Sequence, residues 1–133
     1  MRIGTDMNGI ITHFNQGAET MLQYSANEMI GKKTPEILHV REEIEQHGQE
    51  LSSLFGKTIS GFDVFVEHAR RDSFESMEWT YIRKDGSQFP VQLITTAIKD
   101  ENGKINGFLG VATDISETVY NRKKIIETKE NLE

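Results

Sequence analysis

Hydrophobic and polar residues alternate with a period of two at both ends of the chain. In the stretch IITHF, every second residue from Ile10 to Phe14 falls on one face. The same alternation recurs in MEWTYIR (77–83), FPVQLITTA (89–97) and INGFLGVAT (105–113). A period of two is typical of β-strands with one buried face. We predict five strands, two of them before residue 15 and three after residue 76.

Three turn signals separate these stretches, namely DMNGI (6–10), RKDGSQF (83–89) and KDENGKING (99–107). Each places Asn-Gly or Asp-Gly between apolar segments, and these dipeptides favour the positive φ angles of hairpin turns. Hairpins join antiparallel neighbours, so we predict one antiparallel sheet with a single apolar face. That face is expected to carry Met77, Trp79, Tyr81, Phe89, Val91, Leu93, Ala97, Leu109 and Val111.

Helix-start signals occupy the segment that follows the first two strands. Asn15 is a candidate N-cap for a short helix, because its side chain can accept a backbone N–H bond. Ser25 and Glu28 have the spacing of a capping box in SANEMIG. Thr34 is the candidate N-cap of another helix, with Pro35 at the first helical position, where proline is favoured.

Two longer amphipathic helices are predicted between residues 41 and 70. Apolar or small residues recur at helical spacing in 41–55, and Phe62, Phe65, Val66 and Ala69 share one face in 61–70. The order is therefore two strands, several helices and three strands. We predict an α+β fold in which the helices cover one face of a five-stranded antiparallel sheet.

The chain ends in a charged helix that follows the junction Asp114, Ile115 and Ser116. Aspartate or serine at a helix N-terminus accepts backbone N–H bonds and complements the helix dipole. The few apolar residues of this helix form a candidate coiled-coil seam of Val119, Ile125, Ile126 and Leu132, with two pairs seven residues apart. We divide the chain into a domain of residues 1–116 and a linker helix of residues 117–133.

Composition excludes several classes of function. A net charge of −6 argues against a nucleic-acid partner, because phosphate backbones are bound by basic surfaces. The chain has no cysteine, which excludes disulfides, thiolate zinc sites and a cysteinyl–flavin adduct. The absence of cysteine fits a reducing compartment. We therefore expect the domain to be cytoplasmic, and we leave open whether the parent protein is anchored in a membrane. No apolar run approaches the length of a membrane-spanning helix.

Two long segments together resemble one known family. They are GTDMNGIITHFNQGAETMLQYSANEMIGK near the front and EWTYIRKDGSQFPVQLITTAIKDENGKINGFLGVATDIS near the back. With the closing triplet Asp114-Ile115-Ser116, they resemble the PAS sensory domain over roughly residues 3–116. The resemblance implies a five-stranded antiparallel sheet wrapped by helices around a small internal cavity. It also implies a sensing or dimerising module upstream of a kinase, cyclase or chemotaxis output domain, with Asp114, Ile115 and Ser116 as the signal relay.

Six residues are candidates for lining a ligand pocket: Phe62, Phe65, Val66, Trp79, Tyr81 and Phe89. An ordinary packed core is the alternative. Some members of the resembled family hold haem through a histidine on a helix before the third strand, which makes His47 and His68 the candidate haem ligands. Non-covalent flavin is a further alternative, but the expectation is that no cofactor is bound. No catalytic or metal-binding motif is complete.

Three hypotheses follow from the sequence. In the first, the chain is a sensory module that binds a small ligand or dimerises, and relays a signal through its C-terminal helix to a downstream output domain. In the second, it is a ligand-free interaction module. Both hypotheses expect a homodimer through the sheet face, the terminal helix or both. The third, a stand-alone enzyme, lacks any catalytic constellation.

Overall fold

A computed structural model describes the backbone of residues 1–132 and the side chains of residues 1–129. The chain forms five strands, five α-helices and one 3₁₀ helix in this region. In chain order they are β1 (Arg2–Thr5), β2 (Ile11–Phe14), α1 (Gln16–Leu22), α2 (Ala26–Met29), the 3₁₀ helix (Pro35–Leu38), α3 (Arg41–Phe55), α4 (Asp63–Arg70), β3 (Glu75–Ile82), β4 (Gln88–Lys99), β5 (Ile105–Asp114) and α5 (Ser116–Leu132). The α+β class predicted from the sequence is confirmed.

The five strands form one antiparallel sheet in the order β2-β1-β5-β4-β3. All three predicted turns join neighbouring strands. In each turn an aspartate carboxylate accepts the backbone N–H of the residue two positions later, at distances of 2.8–2.9 Å: Asp6 with Asn8, Asp85 with Ser87, and Asp100 with Asn102. This local bond stabilises the turn that the Asn-Gly and Asp-Gly signals predict.

The helices between β2 and β3 cover one face of the sheet, as predicted. Asn15 Oδ1 accepts the N–H of Ala18 at 2.9 Å, and the capping box of Ser25 and Glu28 is complete. The prediction for Thr34 is wrong, because its side chain makes no cap bond and the turn after it is a 3₁₀ helix. Pro35 does occupy the first position of that turn.

The buried face of β5 is the opposite of the one predicted. Phe108 and Ala112 face the core at 2% and 3% exposure, whereas Leu109 and Val111 lie on the outer face of the sheet and are half-buried. The reason is the register with β4. Leu93 and Ala97 of β4 lie on the inner face and pair with Ala112 and Phe108, and paired residues share a face of the sheet. Leu109 and Val111 therefore point outward.

The alternation predicted for β2 is also interrupted. Ile11 and Phe14 are both buried although they are three residues apart. The pairing of β1 with β2 shifts register between Gly4 and Thr5, so one strand gains a residue relative to the other. Such an irregularity changes which face the following side chains occupy.

A pair of leucines tests how far the core extends. Leu22 is fully buried and Leu54 is 67% exposed. Leu22→Ala removes buried methyl groups and leaves a cavity, so we expect it to lower the free energy of unfolding by about 2–5 kcal/mol. Leu54→Ala is the matched control and should change it by less than about 0.5 kcal/mol. Urea denaturation followed by circular dichroism measures both; equal effects would contradict the assigned core.

Candidate functional site

A small cavity lies between the inner face of the sheet and the helices. About 30 Å³ of it is open to the centre of a water-sized sphere. The sheet contributes residues from four strands, and the other side is closed by the 3₁₀ helix, the residue after it and the start of α4. The lining residues are Ile3, Thr5, Pro35, His39, Phe62, Phe65, Val66, Tyr81, Leu93, Thr95, Phe108 and Gly110. The cavity is thus almost entirely apolar and aromatic.

His39 is the only basic side chain among the residues that line this cavity. It follows the 3₁₀ helix and pairs with Tyr81 through an isolated β-bridge. Its ring lies against Phe65, with centroids 4.2 Å apart, and meets Trp79 and Tyr81 edge to face. Burial lowers the pKa of His39 to about 3. The imidazole is therefore neutral at ordinary pH and fixed in orientation by three aromatic rings.

Two buried side-chain polar atoms in the described part of the chain have no hydrogen-bonding partner, and both belong to residues that line this cavity. They are His39 Nδ1 and Thr5 Oγ1, on side chains that are each 5% exposed. A buried polar group without a partner costs free energy, so such atoms are rare in folded proteins. Because both residues line one cavity, the cavity is a candidate binding site.

Four of the six predicted pocket residues line the cavity, namely Phe62, Phe65, Val66 and Tyr81. Trp79 and Phe89 are buried at 3% and 4% exposure but pack beside these residues without lining it. Sequence reasoning missed Thr5 and His39. The alternation of β1 could have placed Thr5 beside Ile3 on the inner face, whereas the burial of His39 depends on its long-range bridge to Tyr81.

A second polar cluster joins α3, α4 and β3. Glu75 Oε2 lies 2.9 Å from His47 Nε2 and 3.2 Å from His68 Nε2, and Glu50 Oε2 lies 3.0 Å from His47 Nδ1. The hydrogen bond to Glu75, followed by that to Glu50, raises the pKa of His47 against the effect of burial. This cluster links two helices to the sheet through a shared carboxylate. Neither histidine lines the cavity.

The predicted relay residues form a compact joint between β5 and α5. Asp114 Oδ1 accepts the backbone N–H of Ser116 at 2.8 Å and its hydroxyl at 2.6 Å. The N–H of Ile115 donates to the carbonyl of Pro90 in β4 at 3.1 Å, and the Ile115 carbonyl accepts the first helical bond from Val119. The carboxylate of Asp114, rather than the hydroxyl of Ser116, therefore secures the start of the helix.

Beyond the joint, α5 makes little contact with the domain. Arg122 forms two hydrogen bonds to the Glu78 carboxylate of β3, at 2.6 and 3.2 Å, but both side chains are about half exposed. Exposed ion pairs contribute little to stability. Val119 is partly buried, whereas Ile125 and Ile126 are 58% and 55% exposed. The side chain of Leu132, the fourth predicted seam residue, lies outside the described residues.

The model of the PAS domain family matches residues 1–117 of the chain. This chain is a PAS domain. The family resemblance inferred from the sequence is confirmed, and the sheet, the helices and the small cavity agree with what that resemblance implied. As a PAS domain, the chain is a sensory and regulatory module rather than a catalyst.

Solved structures show the same fold. A PAS domain from Colwellia psychrerythraea is 25% identical, with a TM-score of 0.69 over 87% of this chain and 86% of that one. A light-oxygen-voltage domain studied with a flavin analogue is 23% identical, with a TM-score of 0.61 over 99% and 87% of the two chains. The light-state structure of the blue-light photoreceptor Aureochrome1 is 18% identical, with a TM-score of 0.64 over 98% and 90%. Comparison with curated proteins finds no match.

The residues of this PAS domain do not fit a flavin or a haem in the arrangement described. A cavity of about 30 Å³ has room for about two water molecules, far less than either ring system requires. The candidate haem ligands His47 and His68 direct ring nitrogens towards Glu75. Within the described residues, no group of three or more metal-binding side chains is arranged to hold an ion. None of the described helices is long and apolar enough to cross a membrane.

The His47 cluster predicts a pH dependence of stability. Because its pKa is raised in the folded state, protonated His47 stabilises the fold fully below the unfolded histidine pKa of about 6.5. This contribution is lost as the pH rises through the higher folded-state pKa. We expect the contribution of His47 to the free energy of unfolding to fall as the pH rises above about 6.5 and through the raised folded-state pKa, and His47→Gln to remove that part of the slope.

His13→Gln is the matched control, since His13 is exposed and its ring nitrogen contacts only the neighbouring Thr12 hydroxyl. Its slope should equal that of the wild type. Urea denaturation at a series of pH values measures all three proteins. An unchanged slope in His47→Gln would show that the cluster does not hold a proton preferentially in the folded state.

Proposed function

We propose that this PAS domain is the sensory module of a larger signalling protein, of the histidine kinase, diguanylate cyclase or chemotaxis type. Its input site is the internal cavity, and its output element is α5. The observation that carries the proposal is the position of β5. This strand lines the cavity at Phe108 and Gly110 and then leads directly into α5 through the Asp114 joint.

The neighbouring strand supports the same route. Leu93 and Thr95 of β4 line the cavity, and Pro90 of the same strand accepts the Ile115 N–H at the joint. Both strands that hold the joint therefore contact the cavity. A ligand that favours one arrangement of these strands shifts the equilibrium between two orientations of α5, to the extent that it binds them with different affinity.

The weak attachment of α5 suits an output element. Beyond the joint, the half-exposed pair of Arg122 and Glu78 is the polar contact that ties the helix to the sheet in the described region. A helix held by one exposed ion pair can change orientation at low cost, because water replaces the hydrogen bonds that are lost.

We also propose that the domain forms a homodimer through the outer sheet face and α5. Ile94 is 41% exposed and pairs with Val111, and Thr96 beside it pairs with Leu109, so an apolar patch faces outward from the centre of the sheet. The exposed Ile126 continues the seven-residue spacing from Val119. A second copy is the favoured partner, because an identical helix matches that spacing.

A proline in α5 tests the relay. Ile125→Pro removes a helical hydrogen bond and clashes with the preceding turn, at a cost of about 3 kcal/mol within the helix. Because the joint and Arg122 precede residue 125, we expect the domain to stay folded and regulation of the full-length protein to be lost. Circular dichroism and the regulated output activity of the full-length protein measure the two effects.

Ile125→Ala serves as the matched control, since alanine also removes the apolar side chain but favours the helix. It should keep most of the regulation. If Ile125→Pro responded to signal like the wild type, α5 would not be the output element.

A charge on the outer sheet face tests the dimer. Ile94→Glu should shift sedimentation equilibrium towards the monomer, because a carboxylate would be buried at the contact. Leu54→Glu carries the same charge on α3 and should leave the association unchanged. Equal association of both variants would exclude the outer face as the contact.

The ligand-free interaction module remains the second candidate function, favoured by the apolar outer patch. Mass spectrometry of a denatured extract and an absorption spectrum of the purified domain distinguish the two. A stoichiometric small molecule favours sensing, whereas an empty cavity in a stable dimer favours interaction alone.

A further inference from the structure

The size of the cavity limits what it can hold. By the measure used above, one water molecule needs about 10–15 Å³, so about 30 Å³ accepts about two waters or a molecule of a few heavy atoms. The surrounding rings are closely packed, with Phe62 about 6 Å from Phe65 and Phe108 between ring centroids. Phe62 is itself held against Gly9, where a Cβ would lie 2.8 Å from the ring, so no side chain fits between them.

The charge of the cavity limits its ligand further. His39 is neutral at ordinary pH, and no carboxylate, lysine or arginine is among the lining residues. A charged molecule placed here would lose its hydration without gaining a counter-ion, which strongly disfavours binding. The aromatic and aliphatic walls instead favour an uncharged molecule.

The two polar atoms without partners define the remaining requirement. Thr5 Oγ1 can donate one hydrogen bond and accept others, and His39 Nδ1 either donates or accepts, depending on the tautomer. The two residues line the cavity from different sides, Thr5 from the sheet and His39 from the segment between the 3₁₀ helix and α3. A molecule that carries a donor and an acceptor can satisfy both.

We propose that this cavity binds an uncharged molecule of a few heavy atoms that both donates and accepts hydrogen bonds, such as a small amide, and that Thr5 and His39 recognise it. The inference rests on the proposed sensory function for its biological role and names the ligand class of that site. It explains why two residues that line a mostly apolar cavity each have a buried polar atom without a partner. It also predicts discrimination by charge between molecules of equal size.

Acetamide and acetate form the matched pair of probes, because they have nearly the same shape and differ in charge. In a ¹H–¹⁵N NMR titration of the whole chain, acetamide should produce saturable shifts around Thr5, His39 and Tyr81. Binding in the millimolar range is expected for so small a molecule. Acetate should produce no such shifts, and the larger benzamide should bind more weakly than acetamide.

Thr5→Val tests the polar contact, since valine keeps the shape and removes the hydroxyl. It should weaken acetamide binding about threefold to tenfold, the range expected for one hydrogen bond. The control Thr113→Val makes the same change at an exposed position of β5 and should bind like the wild type. Removing a buried hydroxyl that has no partner should not unfold the domain, so the comparison stays interpretable.

The resonances of α5 separate this inference from the proposed function. If acetamide binds in the cavity and the α5 amides do not shift, the ligand class stands and the relay fails. If a different signal moves α5 but acetamide shows no saturable cavity shifts, the relay stands and the ligand class is wrong. Equal binding of acetate, unchanged binding by Thr5→Val, or satisfaction of both polar atoms by water alone would also overturn the inference.

Discussion

The pairing of β4 with β5 is the contact on which the rest of this domain depends. It runs from Val91 opposite Asp114 to Lys99 opposite Ile105, and it holds the centre of the sheet together. Its inner face supplies four of the twelve residues that line the cavity, and its outer face supplies the apolar patch. Its end positions the start of α5. A change of register by one residue would exchange the two faces and displace all three features at once.

The fold could be predicted because its signals are local. Asn-Gly and Asp-Gly turns, period-two strands and the capping box of Ser25 each act within a few residues, and the structure contains the three turns, the capping box and the alternation of β3 and β4. The failures are non-local. The inner face of β5 is set by its pairing with β4, where Leu93 and Ala97 stand opposite Ala112 and Phe108, and the cap assigned to Thr34 is the one local exception.

The candidate site was only partly predictable for the same reason. Bulky aromatic residues at helical or strand spacing indicate a core, and four of the six chosen do line the cavity. His39 could not be selected from the sequence, because its environment is created by Phe65, Trp79 and Tyr81 from two distant elements. His47 is among the buried residues of α3, but the acidic partner that defines its chemistry is 28 residues away in β3.

The hydrogen bonds of the joint are made among residues 114–116 and with Pro90, before the exposed part of α5 begins. The sheet can therefore fold without requiring particular residue types in the helix beyond Arg122. Substitutions there are free to follow whatever the helix is attached to. A domain built in this way can be recombined with different effectors during evolution while its core sequence stays the same.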